Sequence, residues 1–277
     1  MTTTIAETTD DTVIVPKPNM LLRALMAVPP ALWTLLVLIS IWELSVQIGK
    51  VPAYILPAPS AIGAVFFNYW HRLLPNALVT LSEVLIGFIG AVVVGVPLAV
   101  MIVYSRAMEK AVYPLIVASQ TVPKVAIAPL LLTWFGYGMT PKIVIVILLA
   151  FFPIVINSVM GLKSSSREMI YLARSMGASG LQTFWKFRLP QALPSIFAGL
   201  KLATVLSVIG AVVAEFIGAD KGLGYLILIA GANFDITRQF ASIILITLIG
   251  VLFFVTLEQM ERFFIPWKAR SNIAGEG

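Results

Sequence analysis

The two side chains that most often carry metal, redox and general-base chemistry are almost absent from this sequence. Among its 277 residues there is no cysteine and one histidine, His71. That argues against thiolate metal sites, disulfides, iron–sulfur clusters and cysteine nucleophiles, and leaves little for a histidine base or metal centre. A phosphate-binding loop is missing too. The one Gly-Lys pair, Gly49-Lys50, has Leu44 where the motif needs a glycine. Without a backbone cradle and a magnesium ligand the chain cannot hold ATP in the usual way, so ATP-driven work would need a separate subunit. What remains is ionic and polar chemistry in apolar surroundings. Lys124 stands at Thr121-Val122-Pro123-Lys124, a break in an apolar stretch. An ammonium there suits a passing anion, and it suits a structural pair with Glu83 equally well. Ser119, Gln120, Thr121 and Asn157 either line a path or occupy helix carbonyls freed near Pro123 and Pro153. Gly199, Ala203, Ser207, Ala211 and Glu215 recur every fourth residue. Such a stripe lets another helix approach closely, within the chain or across a dimer beside the pathway. Lys201 is read as snorkelling to the interface. Glu43 either pairs or sits near the outer interface, and His71 is read as interfacial.

These residues have to be positioned by elements that suit lipid. Hydrophobic residues make up 59% of the chain and charged residues only 12%, about half the share of a soluble domain. Charge cannot cover such a surface, which excludes a water-soluble globular enzyme. At about 20 residues per crossing the length holds roughly six spanning helices. The apolar runs fall near 27–48, 77–103, from 111 through the break at 121–124, 143–160, 195–217 and 241–257. Residues 61–74 mix Phe66, Phe67, Tyr69 and Trp70 with Asn68, His71 and Arg72, which suits an amphipathic helix at the headgroup level. The fold class expected is therefore all-α and polytopic, with a tail over 1–24, a transmembrane domain over 25–260 and a second tail over 261–277.

Charge orients the chain. With the N-terminus in the cytoplasm, twelve of the 19 Lys and Arg residues fall inside and five outside, namely Lys50, Arg72, Lys142, Lys221 and Arg238. That bias places both termini inside. The net charge of +6 then reflects cytoplasmic loops and not nucleic-acid binding. It also puts the polar stretch 161–190 in the cytosol.

That stretch has the marks of a helical hairpin. A helix from Arg167 to Met176 aligns Met169, Leu172, Ala173 and Met176 on one stripe. Gly177 suits the left-handed position that ends a helix. Ala178 follows, and Ser179 is a good N-cap for a second helix over 181–187. Leu189-Pro190 is expected to stop that helix before the next span. An exposed apolar stripe implies a partner surface, and a loop lying on the bilayer is the plainer reading.

Here the sequence resembles a known family. The frame Tyr171-Leu172-Ala173, Gly177, Phe187 and Leu189-Pro190 is similar to the coupling loop of the membrane subunits of ATP-binding-cassette importers. Their pattern is Glu-Ala-Ala, three residues, Gly, nine residues, Ile, one residue, Leu-Pro. The spacing is met in full, and Ala173, Gly177, Leu189 and Pro190 match; Tyr171, Leu172 and Phe187 depart but stay apolar or aromatic. Leu56-Pro57-Ala58-Pro59-Ser60, Val122-Pro123-Lys124 with Ala128-Pro129-Leu130, Trp134-Phe135-Gly136, Phe151-Phe152-Pro153-Ile154, and Ala214-Glu215-Phe216-Ile217-Gly218 with Gly222-Leu223-Gly224-Tyr225 resemble the nitrate/sulfonate/taurine branch. Together they extend over roughly residues 25–260.

The resemblance implies a type I importer permease in the bacterial inner membrane, acting as a homodimer. Two ATPase subunits, which hold the ATP and magnesium, dock on the hairpins. An extracytoplasmic binding protein delivers substrate: a sulfonate such as taurine, an aromatic carboxylate, a vitamin precursor or nitrate. The coupling residues are then Arg167, Met169, Tyr171, Leu172, Ala173, Met176, Gly177, Ala178, Ser179, Phe187, Leu189 and Pro190. The pathway falls to Gln120, Thr121, Lys124, Asn157, Ser207 and Glu215. No cofactor or metal is expected on this chain. The rivals are a gradient-driven secondary transporter, which would show paired broken helices, and a membrane-embedded enzyme, which would need clustered intramembrane Asp, His or Ser–Lys groups.

Overall fold

The computed structural model describes residues 30–267, and every regular element in that range is helical. Within that range, residues through Val51 form one unit and residues from Pro52 onward a second. The tail expected over 1–24 and the last ten residues of the expected C-terminal tail lie outside the described range.

The first unit contributes α1, Pro30–Ile48. Within the helix, Gln47 donates to Glu43 Oε1 at 2.5 Å, so this carboxylate has a partner on its own helix.

The second unit begins with α2, Pro59–Asn68, and α3, Trp70–Tyr104. The amphipathic helix expected over 61–74 is thus interrupted at Tyr69, and Trp70 through Arg72 belong to the long helix. Next come α4, Arg106–Ser119, a 3-10 turn over Lys124–Ile127 and α5, Ala128–Phe135. The segments on either side of the break are bent by 86°. Pro123 lacks the N–H that would carry α4 onward. Then follow α6, Met139–Lys163, α7, Arg167–Ser175, α8, Gly180–Thr183, and α9, Leu189–Gly218. The chain ends with α10, Leu223–Ala232, and α11, Ile236–Phe264.

Among the described residues, four stretches are long and apolar enough to cross a membrane: α3, α6, the run ending in α9, and α11. The bent pair makes a fifth if its halves are one crossing, and α1 is a further apolar helix. Two boundaries differ from expectation. Helix α11 continues to Phe264, beyond the expected domain end at 260, and Glu261 is buried on it. Helix α10 occupies what the apolar pattern left as a connection; at 10 residues it is too short to span.

The core is built on α6, which packs most extensively against α9 and α3. Small residues set the distance. A Cβ on Gly199 would stand 2.8 Å from the Pro153 carbonyl, and one on Gly210 would stand 3.1 Å from Val146 Cα. Gly95 meets Ile154 in the same way. The small-residue stripe of α9 therefore packs on α6 within the chain. Without a hydrophobic driving force between helices in lipid, this close van der Waals contact is what holds them. Phe88, Ala91, Ala150, Ile154, Ala203 and Leu257 join α3, α6, α9 and α11 into one cluster.

Candidate functional site

Three groups of residues stand out: a hairpin at one end of the bundle, the break between α4 and α5, and a buried polar cluster at the other end.

The hairpin is fixed by local hydrogen bonds. Ser166 Oγ accepts from the Met169 N–H and caps α7. At the far end Gly177 has φ +81°. The Ala178 N–H reaches the Ala173 carbonyl at 3.0 Å and the Gly177 N–H reaches Arg174 at 2.9 Å. This paired closure needs a left-handed residue, and glycine adopts that conformation without a Cβ penalty. Ser179 then forms a capping box with Gln182, its hydroxyl accepting from the Gln182 N–H and its own N–H donating to Gln182 Oε1 at 2.8 Å.

Exposed on this frame are Met169, Tyr171, Leu172 (62%) and Met176 (80%), followed by Trp185 (60%). Ala173 is buried, Ala178, Phe187, Leu189 and Pro190 are half-buried, and Arg167 opens α7. The hairpin thus presents an apolar surface to one side. The Phe184 ring packs against Tyr104 of α3, and at the base of the hairpin Lys163 at the end of α6 pairs with Glu109 on α4 at 2.6 Å.

Leu189-Pro190 does not stop the second helix. The helix runs from Gly180 to Gly218 without a gap. Phe184–Arg188 is a π-helical segment, in which the Leu189 N–H reaches back to Phe184. That wider turn shifts the register just before the proline, which then sits in the first turn of α9, where proline is tolerated. The hairpin is therefore rigidly continuous with α9.

At the break, Lys124 Nζ lies 4.4 Å from the Phe152 ring centre and donates to the Gln120 carbonyl at 3.3 Å. It does not pair with Glu83. Gln120 and Thr121 are exposed beside it, with Thr121 Oγ1 donating to Ala118 and Ser119 Oγ to Ile116. Asn157 donates to the Pro153 carbonyl at 2.9 Å. The hydroxyls and the Asn157 amide thus serve helix carbonyls. Ser207 is buried and donates to Ala203 on its own helix.

Glu215 belongs to the third group. Its carboxylate is fully buried, accepts from Thr80 Oγ1 at 2.6 Å and accepts from the Gly224 N–H at 2.5 Å. Thr80 Oγ1 in turn accepts from the Leu223 N–H, and Asn76 Oδ1 accepts from the Gly222 N–H at 2.7 Å. A Cβ on Gly222 would run into the Glu215 carboxylate, and one on Gly224 would stand 2.8 Å from it. One turn below, Glu83 pairs with Lys142 at 2.6 Å, both buried, and the Glu83 and Glu215 carboxyls adjoin. The opening residues of α10 are therefore strapped to α3 and α9. Lys142 is not the exposed outer charge that the orientation tally assumed. Lys201 pairs with Glu261 on α11 instead of snorkelling. Sequence reasoning missed the cluster: Asn76 and Thr80 showed only as polar residues at apolar helix positions, and Lys142, after Pro141, was counted as an outer loop charge.

Known proteins supply what the geometry leaves open. Residues 91–269 match the family of binding-protein-dependent transport system inner membrane components. This chain belongs to that family. It is 38% identical to the formylaminopyrimidine transport permease protein ThiX of Halalkalibacterium halodurans, over 90% of this chain and 99% of that protein. It is 36% identical to the riboflavin transport system permease protein RibX of Chloroflexus aurantiacus, over 85% and 89%. The taurine transport system permease protein TauC of Escherichia coli is 29% identical, over 84% and 88%. Among solved structures, a chain of the inward-facing MetNI methionine ABC transporter superposes with TM-score 0.61 at 20% identity, covering 70% of this chain and 96% of that one. That likeness shows the type I importer permease fold. The chain is thus the permease component of an ABC importer, and ATP hydrolysis belongs to a separate subunit. A gradient-driven transporter and a membrane-embedded enzyme are both set aside.

Proposed function

We propose that two copies of this chain form the translocation path of an inner-membrane importer, with both termini and the hairpin in the cytoplasm. Each hairpin seats in one ATPase subunit through Tyr171, Leu172, Met176 and the turn at Gly177. Binding of ATP draws the two ATPases together. Because the hairpin continues into α9 without a break, the movement re-aims α9 and the helices packed on it, opening the path outward. Hydrolysis returns it inward. The ATP-bound partner must favour one state by several kcal/mol to switch the population. The observation that carries this reading is the exposed apolar hairpin, capped at both turns and continuous with a spanning helix.

For substrate we infer a small nitrogen heterocycle of the vitamin-precursor class, handed over by an extracytoplasmic binding protein. Higher identity to the formylaminopyrimidine and riboflavin permeases than to TauC supports it. So does the engagement of Lys124 with an aromatic ring and a carbonyl, which weakens the argument for an anion site. Gln120, Thr121 and Lys124 are the path residues we retain; Asn157, Ser207 and Glu215 serve the framework. The test is uptake by proteoliposomes containing this chain, its ATPase and its binding protein. ATP-dependent accumulation of a labelled formylaminopyrimidine, uncompeted by taurine, is expected. Uptake of taurine in its place would overturn the substrate, and uptake without ATP would overturn the mechanism.

A further inference from the structure

Between α5 and α6 the chain turns at Gly136-Tyr137-Gly138. The two glycines have φ +73° and +139°, values that other residues rarely adopt. Tyr137 between them is 85% exposed. Its ring passes close over the end of α9, where a Cβ on Gly218 would stand 3.3 Å from Tyr137 Cε1. Tyr137, Gly138, Gly218, Ala219 and Asp220 line a cavity of about 460 Å³, a size typical of small-molecule sites. Asp220 is exposed and, among the described residues, makes no ion pair. Its neighbour Lys221 lines the adjoining cleft on the α3 side and not this cavity. Helix α5, eight residues long, leads here from the break at Lys124, a rise of about 12 Å.

The walls define the chemistry of an occupant. Tyr137 offers a ring face to a flat π-system. The Asp220 carboxylate accepts hydrogen bonds and donates none. Helix α9 ends at Gly218, and the last carbonyls of a helix lack partners within it, which adds acceptors on the same side. Helix α6 begins at Met139, next to Gly138, and its first N–H groups can serve a ring nitrogen. With Lys221 lining the other cleft, Asp220 repels a sulfonate or a carboxylate. An aminopyrimidine, a flat ring with an N–H donor beside a nitrogen acceptor, complements each wall. We propose that this cavity is a substrate subsite of the path, at the end of the bundle away from the hairpin, in which Tyr137 stacks on a nitrogen heterocycle and Asp220 accepts from its amino group. This rests on the importer and heterocycle readings above. Stacking alone admits any aromatic ring; Asp220 selects those with an N–H donor. One ring and one carboxylate in an open cavity hold the molecule weakly, as passage requires.

The experiment uses the whole complex, this chain with its ATPase subunits in nanodiscs, and a formylaminopyrimidine as probe. Saturation-transfer NMR without binding protein reads contact between the complex and the pyrimidine protons. The wild type should give a clear signal. Tyr137→Ala and Asp220→Asn should each lower it about fivefold, and Tyr137→Phe, which keeps the ring, should retain it. An analogue with oxygen in place of the amino group should give a signal about fivefold weaker in the wild type, and Asp220→Asn should abolish that discrimination. Both side chains are exposed, so every variant should unfold at the wild-type midpoint, and loss of signal then reports the site and not the fold. Uptake by wild-type proteoliposomes with binding protein separates the two readings. Uptake of the pyrimidine with no saturation transfer, or with transfer that Tyr137→Ala and Asp220→Asn both keep, would overturn the subsite and leave the importer reading standing. Uptake of taurine and not of the pyrimidine would overturn the substrate reading, and the subsite with it.

Discussion

At one end of the bundle Leu172, Met176 and Trp185 stand in the open on a hairpin; at the other Glu215, Glu83 and Lys142 are buried among helices. Apolar groups face outward where the chain needs a partner, and charged groups face inward where it needs to hold itself together. The hairpin is secured by bonds between residues three to five apart, such as Ser179 with Gln182 and Ala178 with Ala173. The polar cluster is secured across distances of 59 and 135 residues, in Lys142 with Glu83 and Thr80 with Glu215. A locally closed unit can be moved as one piece. A cluster tied across three helices fixes their relative register.

The contrast is broken most severely in the buried cluster. Lys142→Ala leaves the Glu83 carboxylate buried without its partner, and removing one member of a buried pair costs about 3–5 kcal/mol. Thermal unfolding in detergent should show a large fall in midpoint, and Glu83→Leu with Lys142→Met should recover most of it. Equal midpoints for the wild type and Lys142→Ala would show that the pair does not hold α3 to α6. Next in size is the hairpin. Leu172→Asp with Met176→Asp changes only exposed residues, so the midpoint should stay. Affinity for the ATPase should drop at least tenfold, a loss of about 1.4 kcal/mol or more, as expected for apolar anchors at an interface. A midpoint that fell while affinity held would reverse the assignment of the two regions.

Smaller effects sharpen the comparison. Removing the cap with Ser179→Ala should destabilise the turn by about 1 kcal/mol. Because the bond is local, faster amide exchange should appear at Gln182 and Thr183 and not in α3 or α6. At the break, Lys124→Ala removes a contact with the Phe152 ring worth about 0.5–1 kcal/mol at an exposed site. Uptake of a heterocycle should then persist with only a modest rise in KM, since Lys124 carries no anion there. Loss of uptake altogether would restore Lys124 as an anion-binding group.

The same contrast explains what the sequence made legible. Gly177 after an apolar stripe and Ser179 before a new turn are local signals, so the hairpin could be read residue by residue. The break at Pro123 was equally plain. The Glu83–Lys142 pair was not, because Lys142 follows Pro141 at the start of a helix and resembles a loop charge until α3 is beside it. The continuity of α9 through Pro190 was misread because the π-helical turn that admits the proline depends on packing, not on composition. Helix α10 escaped because ten apolar residues fit a short crossing segment as poorly as they fit a loop.

An ATPase subunit, and not lipid, should cover the apolar surface of the hairpin. The chain contains no cysteine, so Met176→Cys places a single thiol at the tip of the hairpin. A water-soluble maleimide should label it rapidly in the free permease and at least tenfold more slowly once the ATPase subunits are bound. Labelling at the same rate with and without them would contradict the docking role, and protection by the bilayer alone would place the hairpin on the membrane.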